Sequence, residues 1–193
     1  MRNKLTRAMG RPGRELLEGP GKADETHMGG PEEGFRGRET QNRAVVVVAP
    51  ETRGKAIWQI RLRRVAEVCA ESLIRHACGV AASDTVVRTD GWGGYTGLAY
   101  KGYGHQVVRR SPKHRQPCEL LPSTHRAASP LKRWLQRTHG GAVSRGHLAY
   151  YLDEFAFRLN HRTSPSRRML FHRLVRQAMA TDPLPYGALV GAG

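Results

Sequence analysis

Two aspartates and a histidine, Asp24, Asp90 and His125, have the types and order to hold a metal ion against a polyanion. Asp90 ends the run Val87-Arg88-Thr89, and Gly91, Gly93 and Gly94 follow around Trp92. A strand, an acid and an open turn together hold a carboxylate at the carboxyl edge of a sheet, where α/β folds place ligand chemistry, and the glycines admit a bulky backbone. Asp24 supplies a second carboxylate in Asp24-Glu25-Thr26. Hard cations such as Mg²⁺ prefer carboxylates on rigid elements, and ions clamped between them stabilise the attacking and leaving oxygens of a phosphodiester displacement. Glu25 would point to the opposite face of a strand, away from the ion held by Asp24. His125 follows Asp90 after 34 intervening residues. Its imidazole suits Mn²⁺ better than Mg²⁺, and a lone histidine is more often a surface or phosphate-contacting residue than a ligand.

Charge identifies the other half of that chemistry. Between Asp90 and Asp153 the only acid is Glu119, against ten basic residues: Lys101, Arg109, Arg110, Lys113, Arg115, Arg126, Lys132, Arg133, Arg137 and Arg145. Such a segment neutralises phosphates and releases counterions, so binding to nucleic acid would be steeply salt-dependent. Trp92, Tyr95, Tyr100, Tyr103 and Trp134 lie within it, either as faces for an unpaired base or as core aromatics. Trp134, spaced helically from Leu131 and Leu135, reads as core.

The elements that must position these groups follow from periodicity. Ala23 to Met28 reads as a short first strand. Arg43 to Ala49, nearly all valine, reads as a strand buried on both faces, and Ile57 to Val65 alternates as a half-exposed one. Ala66 to Ala82 changes to a helical period. Thr85 to Thr89 is the strand that delivers Asp90, Tyr95 to Tyr100 a short helix, and His105 to Arg109 another strand. A helix around Leu131, Trp134 and Leu135 has two possible starts. Ser123 or Thr124 could cap it, with His125 in the first turn and Pro130 inside, or Ser129 could cap it with Pro130 at the first position. His147 to His161 is a helix, and a last one opens at Ser164 with Pro165 at its first position. The economical architecture is a mixed α/β sheet with helices packed on it.

The 193 residues suit one domain with a core. A net charge of +16 and a pI near 10.8 favour nucleic acid as the partner. No apolar run approaches the roughly 20 residues that span a bilayer. Met1-Arg2-Asn3-Lys4 is followed by no signal-peptide pattern, so the chain reads as cytoplasmic. Cys69, Cys78 and Cys118 lack C-x-x-C spacing and read as reduced, mostly buried thiols.

In order, Asp24-Glu25-Thr26-His27-Met28-Gly29-Gly30, Arg88-Thr89-Asp90-Gly91-Trp92-Gly93-Gly94-Tyr95, His125-Arg126-Ala127-Ala128-Ser129-Pro130-Leu131-Lys132-Arg133-Trp134-Leu135, and Tyr150-Tyr151-Leu152-Asp153-Glu154-Phe155 with Arg158-Leu159-Asn160 resemble the ISXO-like insertion-sequence transposases of the DDE superfamily. The resemblance covers roughly residues 22 to 190 and implies an RNase-H-like mixed five-stranded sheet with flanking helices and a helical C-terminal part. It further implies cleavage and transfer of DNA strands with Mg²⁺ or Mn²⁺. Asp24 and Asp90 would be the first two metal-binding acids, and His125 would stand where many relatives carry the third. The implied partners are double-stranded DNA, as transposon ends and target, and further copies of the chain in a synaptic complex, with Arg126, Lys132, Arg133 and Arg137 on the DNA.

Two departures from the family stand out. Residues 1 to 21 form a basic stub where relatives carry a zinc-binding and helix-turn-helix region, so the chain reads as an N-terminally truncated copy. Gly21-Lys22-Ala23 replaces a more apolar lead into Asp24, which weakens that strand. Two alternatives remain from the sequence: an inactive remnant that only binds DNA, and a structure-selective nuclease on the same fold.

Overall fold

Valine fills Val45 to Val48, and β-branched side chains pack well on a pleated surface, so a strand forms here and is buried on both faces. In the computed structural model this is β3, Ala44–Arg53, following β1 (Gly21–Lys22) and β2 (Asp24–Met28). The structure describes residues 2–10, 16–17, 21–28, 44–65, 69–83, 85–90, 93–108, 121–139, 145–182 and 187. A turn with Gly54 at φ 60°, in the left-handed region that favours glycine, returns the chain as β4, Ala56–Val65. The strand β5 (Val86–Thr89) and the last strand β6 (Gly104–Val107) complete the sheet.

β3 pairs antiparallel with β4 on one side and with β2 and β1 on the other; β1 pairs parallel with β5, and β5 parallel with β6. Five strands were expected, and among the described residues six are hydrogen-bonded into the sheet. The expected first strand, Ala23 to Met28, starts at Asp24, and an unexpected short strand, β1, precedes it: the Ala23 N–H between them donates to Arg88 O of β5 at 3.0 Å, while Gly21 and Asp24 pair with Glu51 and Val48 of β3. The strip from Gly21 to Met28 therefore bridges the antiparallel and parallel halves of the sheet.

Helices run as α1 (Arg2–Met9), α2 (Ala70–Val80), α3 (Pro122–His139), α4 (Arg145–Asn160) and α5 (Arg167–Met179), with a 3-10 helix at Gly93–Lys101. From β2 onward the order of strands and helices matches the periodicity, with shifted edges. The first predicted helix begins at Ala70 rather than Ala66, and residues 66–68 lie outside the described ones. The last begins after Ser166, whose side chain accepts from Met169 N, so Ser164 and Pro165 precede it. β6 ends at Val107, and Arg109 lies outside the described residues. β4 alternates only in its first half: Ile60, Arg61 and Leu62 are consecutively buried, with Arg61 donating to Gln59 Oε1 at 3.2 Å and to Ile60 O at 3.1 Å.

The chain divides into two compact units. One, Leu16–Ala142, holds the sheet and a core of Val45, Val47, Leu73, Ala77, Val87, Tyr95 and Leu98, where α2 and the 3-10 helix cover one face. Their approach is close, since a Cβ on Gly97 would meet Ile74 Cδ1 at 2.5 Å. The other unit, Met1–Glu15 with Val143–Gly193, packs α1 on α4 and α5. Ala8, Leu148, Leu152, Phe155 and Ala156 are buried in it. Among the described residues no helix is long and apolar enough to cross a membrane. Cys69 is an exposed thiol and Cys78 half-buried, so burial does not explain both; Cys118 lies outside the described residues.

Candidate acid pair and basic face

Alternation along the central strip sorts its side chains. Ala23 enters the apolar core beneath α2, while Asp24 turns toward α3. There one carboxylate oxygen, Oδ1, accepts from the Glu25 N–H at 2.9 Å and the other, Oδ2, accepts from Thr124 Oγ1 at 3.3 Å. Thr124 and His125 lie in the first turn of α3, and His125 Nε2 is 3.9 Å from Asp24 Oδ2. The helix thus starts at Pro122 and runs through Pro130, which settles the sequence alternatives in favour of His125 within the helix.

Asp90 follows β5 directly and is exposed. Its charge reaches Asp24. Burial, with the Asp90 carboxylate second, pushes the Asp24 pKa up to about 6, against the opposing pull of the Glu25 N–H and the Thr124 hydroxyl. Two carboxylates, one of which raises the pKa of the other, make an oxygen donor set of the kind that hard divalent cations take. Among the described residues no group of three or more His, Cys, Asp or Glu is placed to share a metal ion. The imidazole sits at ion-pair distance from one oxygen of Asp24, because it leaves α3 one residue after the threonine that bonds that oxygen.

Glu25 lies on the other face, as alternation requires, and accepts from the Tyr95 hydroxyl at 2.6 Å. Burial first, then Glu25, raises the Tyr95 pKa well above the ordinary phenol range, so the hydroxyl stays a donor. Tyr95 is 1% exposed, which removes it from the candidate stacking residues. Tyr103 is half-buried with its hydroxyl donating to Cys78 O and Ala81 O at 3.3 Å, whereas Tyr100 is 92% exposed. Trp134 is half-buried in α3, and Trp92 lies outside the described residues.

The basic candidates fall on α3 and are all exposed. Helical spacing puts Arg126, Arg133 and Arg137 (i, i+7, i+11) on one stripe and Lys132 on the stripe of His125 (i, i+7), opposite the buried Ala127, Leu131 and Leu135. Two further cations escaped sequence reasoning. Lys22 and Arg88 are register partners in β1 and β5. Burial, followed by the charges of Arg88 and Arg126, lowers the Lys22 pKa, so three cations gather on the face that carries Asp24. The only sequence signal is a shared spacing, since Lys22 and Arg88 each precede an aspartate by two residues.

The model of one protein family, described as the ISXO2-like transposase domain, matches residues 16–160. No curated protein matches the chain. Among solved structures, the chain is similar to one in the cryoEM structure of the simian T-cell lymphotropic virus intasome in complex with PP2A regulatory subunit B56 gamma. The identity is 13% and the TM-score 0.49, over 82% of this chain and 54% of that one. This chain thus spans about half the length of that one.

Proposed function

The chain belongs to the ISXO2-like transposase domain family, and from that premise we propose that it cuts DNA strands at transposon ends and joins them to target DNA, as a DDE-type transposase. One observation carries the proposal: Asp24, next to the Ala23 that β5 binds, and Asp90, just past the end of β5, are close enough for the charge of Asp90 to raise the pKa of Asp24. Two such carboxylates suit Mg²⁺ or Mn²⁺, and a divalent ion bound there supplies charge neutralisation and polarisation of phosphodiester oxygens. The protein's own residues fix the geometry. Thr124 and the Glu25 N–H orient the two oxygens of Asp24, and β5 holds Asp90. His125, beside Asp24, contacts the scissile phosphate or completes the ligand set, more readily for Mn²⁺. Arg126, Lys132, Arg133 and Arg137 hold the phosphates of the DNA along the exposed side of α3.

We read the sheet, antiparallel on one side of the central strip and parallel on the other, as RNase-H-like. The catalytic domain is proposed to span residues 22–190, because the family match over residues 16–160 runs past the end of the sheet-bearing unit at Ala142. Two transposon ends require two active sites, so the working form is a homo-oligomer on DNA. A second reading, a remnant that binds DNA without cutting it, draws on the two-member acid set among the described residues.

Nicking of transposon-end DNA with Mg²⁺ and with Mn²⁺ decides between them. Under the first reading the wild type nicks, and Asp90→Asn lowers the rate by at least about 100-fold, the scale of removing a preorganised electrostatic partner, with an unchanged melting temperature. Binding with no nicking under either ion establishes the second.

A further inference from the structure

Lys22 of β1 and Arg88 of β5 face one another across parallel strands, and two residues further along the chain come Asp24, which opens β2, and Asp90, just past β5. The register to β3 is the same before and after Ala23, from Gly21 opposite Glu51 to Asp24 opposite Val48, so residues i and i+2 share a face here and lie about 6.6 Å apart. This face of the sheet therefore carries two rows of opposite sign, the acids and, one pleat behind them, the cations. Arg88 gives its Nε hydrogen bond to a neutral acceptor, Gln106 Oε1, at 2.7 Å. Like charges gathered on one face repel one another, and an anion among them removes that cost. A lysine is also a poor choice for a strand on packing grounds alone.

We propose that Lys22 and Arg88 form a second phosphate site, which holds the phosphodiester one nucleotide away from the one presented to Asp24 and Asp90. The site rests on the reading of that acid pair as the reaction centre, and it fixes the path of the cut strand along β1 and β5. Successive phosphodiesters lie on successive rows, so the cationic row sets which linkage reaches the acids. Lys22 is a positioning residue here.

The test uses the full chain and duplexes carrying one neutral methylphosphonate linkage at a time. Expected for Lys22→Gln with Arg88→Gln is a slope of log affinity against log salt shallower by about 1.8, two contacts at about 0.9 each. Lys22→Arg with Arg88→Lys keeps the slope. One neutral linkage, next to the cut, weakens wild-type binding and leaves the double variant unaffected; neutral linkages elsewhere weaken both alike. An unchanged slope at an unchanged melting temperature overturns the site, and so does a wild type indifferent to every single linkage. Should the glutamine variants fail to fold, the linkage scan on the wild type decides alone. A chain that shows the linkage effect yet never nicks keeps the phosphate site and loses the catalytic reading; one that nicks with no linkage effect does the reverse.

Discussion

At Asp24 and at His76 burial and charge conflict, and they do so with opposite sign. The Asp24 pKa is about 6 in the fold against 3.8 for an ordinary aspartate, so the native state binds more protons between those values and loses stability as pH rises through them. His76 is 2% exposed with neither ring nitrogen hydrogen-bonded, and burial, then Arg63, lowers its pKa to about 4. The unfolded chain binds more protons from there up to 6.5, and stability rises with pH across that window. Each effect is worth about 3 kcal/mol at most, at 1.36 kcal/mol per pKa unit. The wild type is expected to have a nearly flat profile from pH 4 to 6.5, because the two slopes oppose. Urea denaturation at intervals of pH separates them: Asp24→Asn leaves a profile that rises with pH and adds about 1–3 kcal/mol at pH 7, and His76→Leu, in the apolar setting of Leu73, Ala77 and Val87, leaves one that falls. A rise with pH that survives His76→Leu would overturn the assignment of that limb. Both acids of the candidate site were picked out from the sequence, Asp90 because it ends a strand before a glycine-bearing turn and Asp24 as a second acid upstream. Lys22 and Arg88 were not, since their partnership depends on register between strands more than 60 residues apart in the chain. On its own Lys22 read only as a weakness in a strand.

Elements show the same division between local and distant information. The valine run made β3 visible because burial on both faces leaves a continuous apolar stretch. The break at Ala23 was invisible, because it is set by the N–H that β5 captures. At the last helix, Ser164-Pro165 carried the stronger local signal, but the hydroxyl that accepts from the helix start belongs to Ser166. α3 has the clearest energetic signature. Pro130 lies inside it, cannot donate to the carbonyl of Arg126 and crowds that turn, a cost of about 3 kcal/mol in a helix interior. Proline also stiffens the unfolded chain, worth about 0.4–1 kcal/mol in its favour. Pro130→Ala is therefore expected to stabilise the protein by about 2 kcal/mol, read as a higher urea midpoint at unchanged slope. A lower midpoint would mean that packing of the ring outweighs the missing hydrogen bond.

For the whole molecule the governing quantity is a net charge of +16, and its effect on DNA can be separated from the chemistry of the acid pair. Binding through charge releases counterions, so affinity falls as a power of salt concentration, by about 10³–10⁵ between 50 and 200 mM for 6–10 phosphate contacts. None of that requires a metal. Chelator is thus expected to abolish nicking while leaving the salt slope of binding in place, whereas raising salt abolishes both. The stripe of Arg126, Arg133 and Arg137 gives the decisive comparison, because it lies on the exposed side of α3 and its removal costs little packing. Replacing all three with glutamine should flatten the slope by about 2.7, three contacts at about 0.9 each, and slow nicking only below saturating DNA. If the slope stays as it was, the duplex binds elsewhere on this basic chain and α3 is not its track. If instead nicking stays slow at saturating DNA, the arginines act in the chemical step as well as in holding the strand.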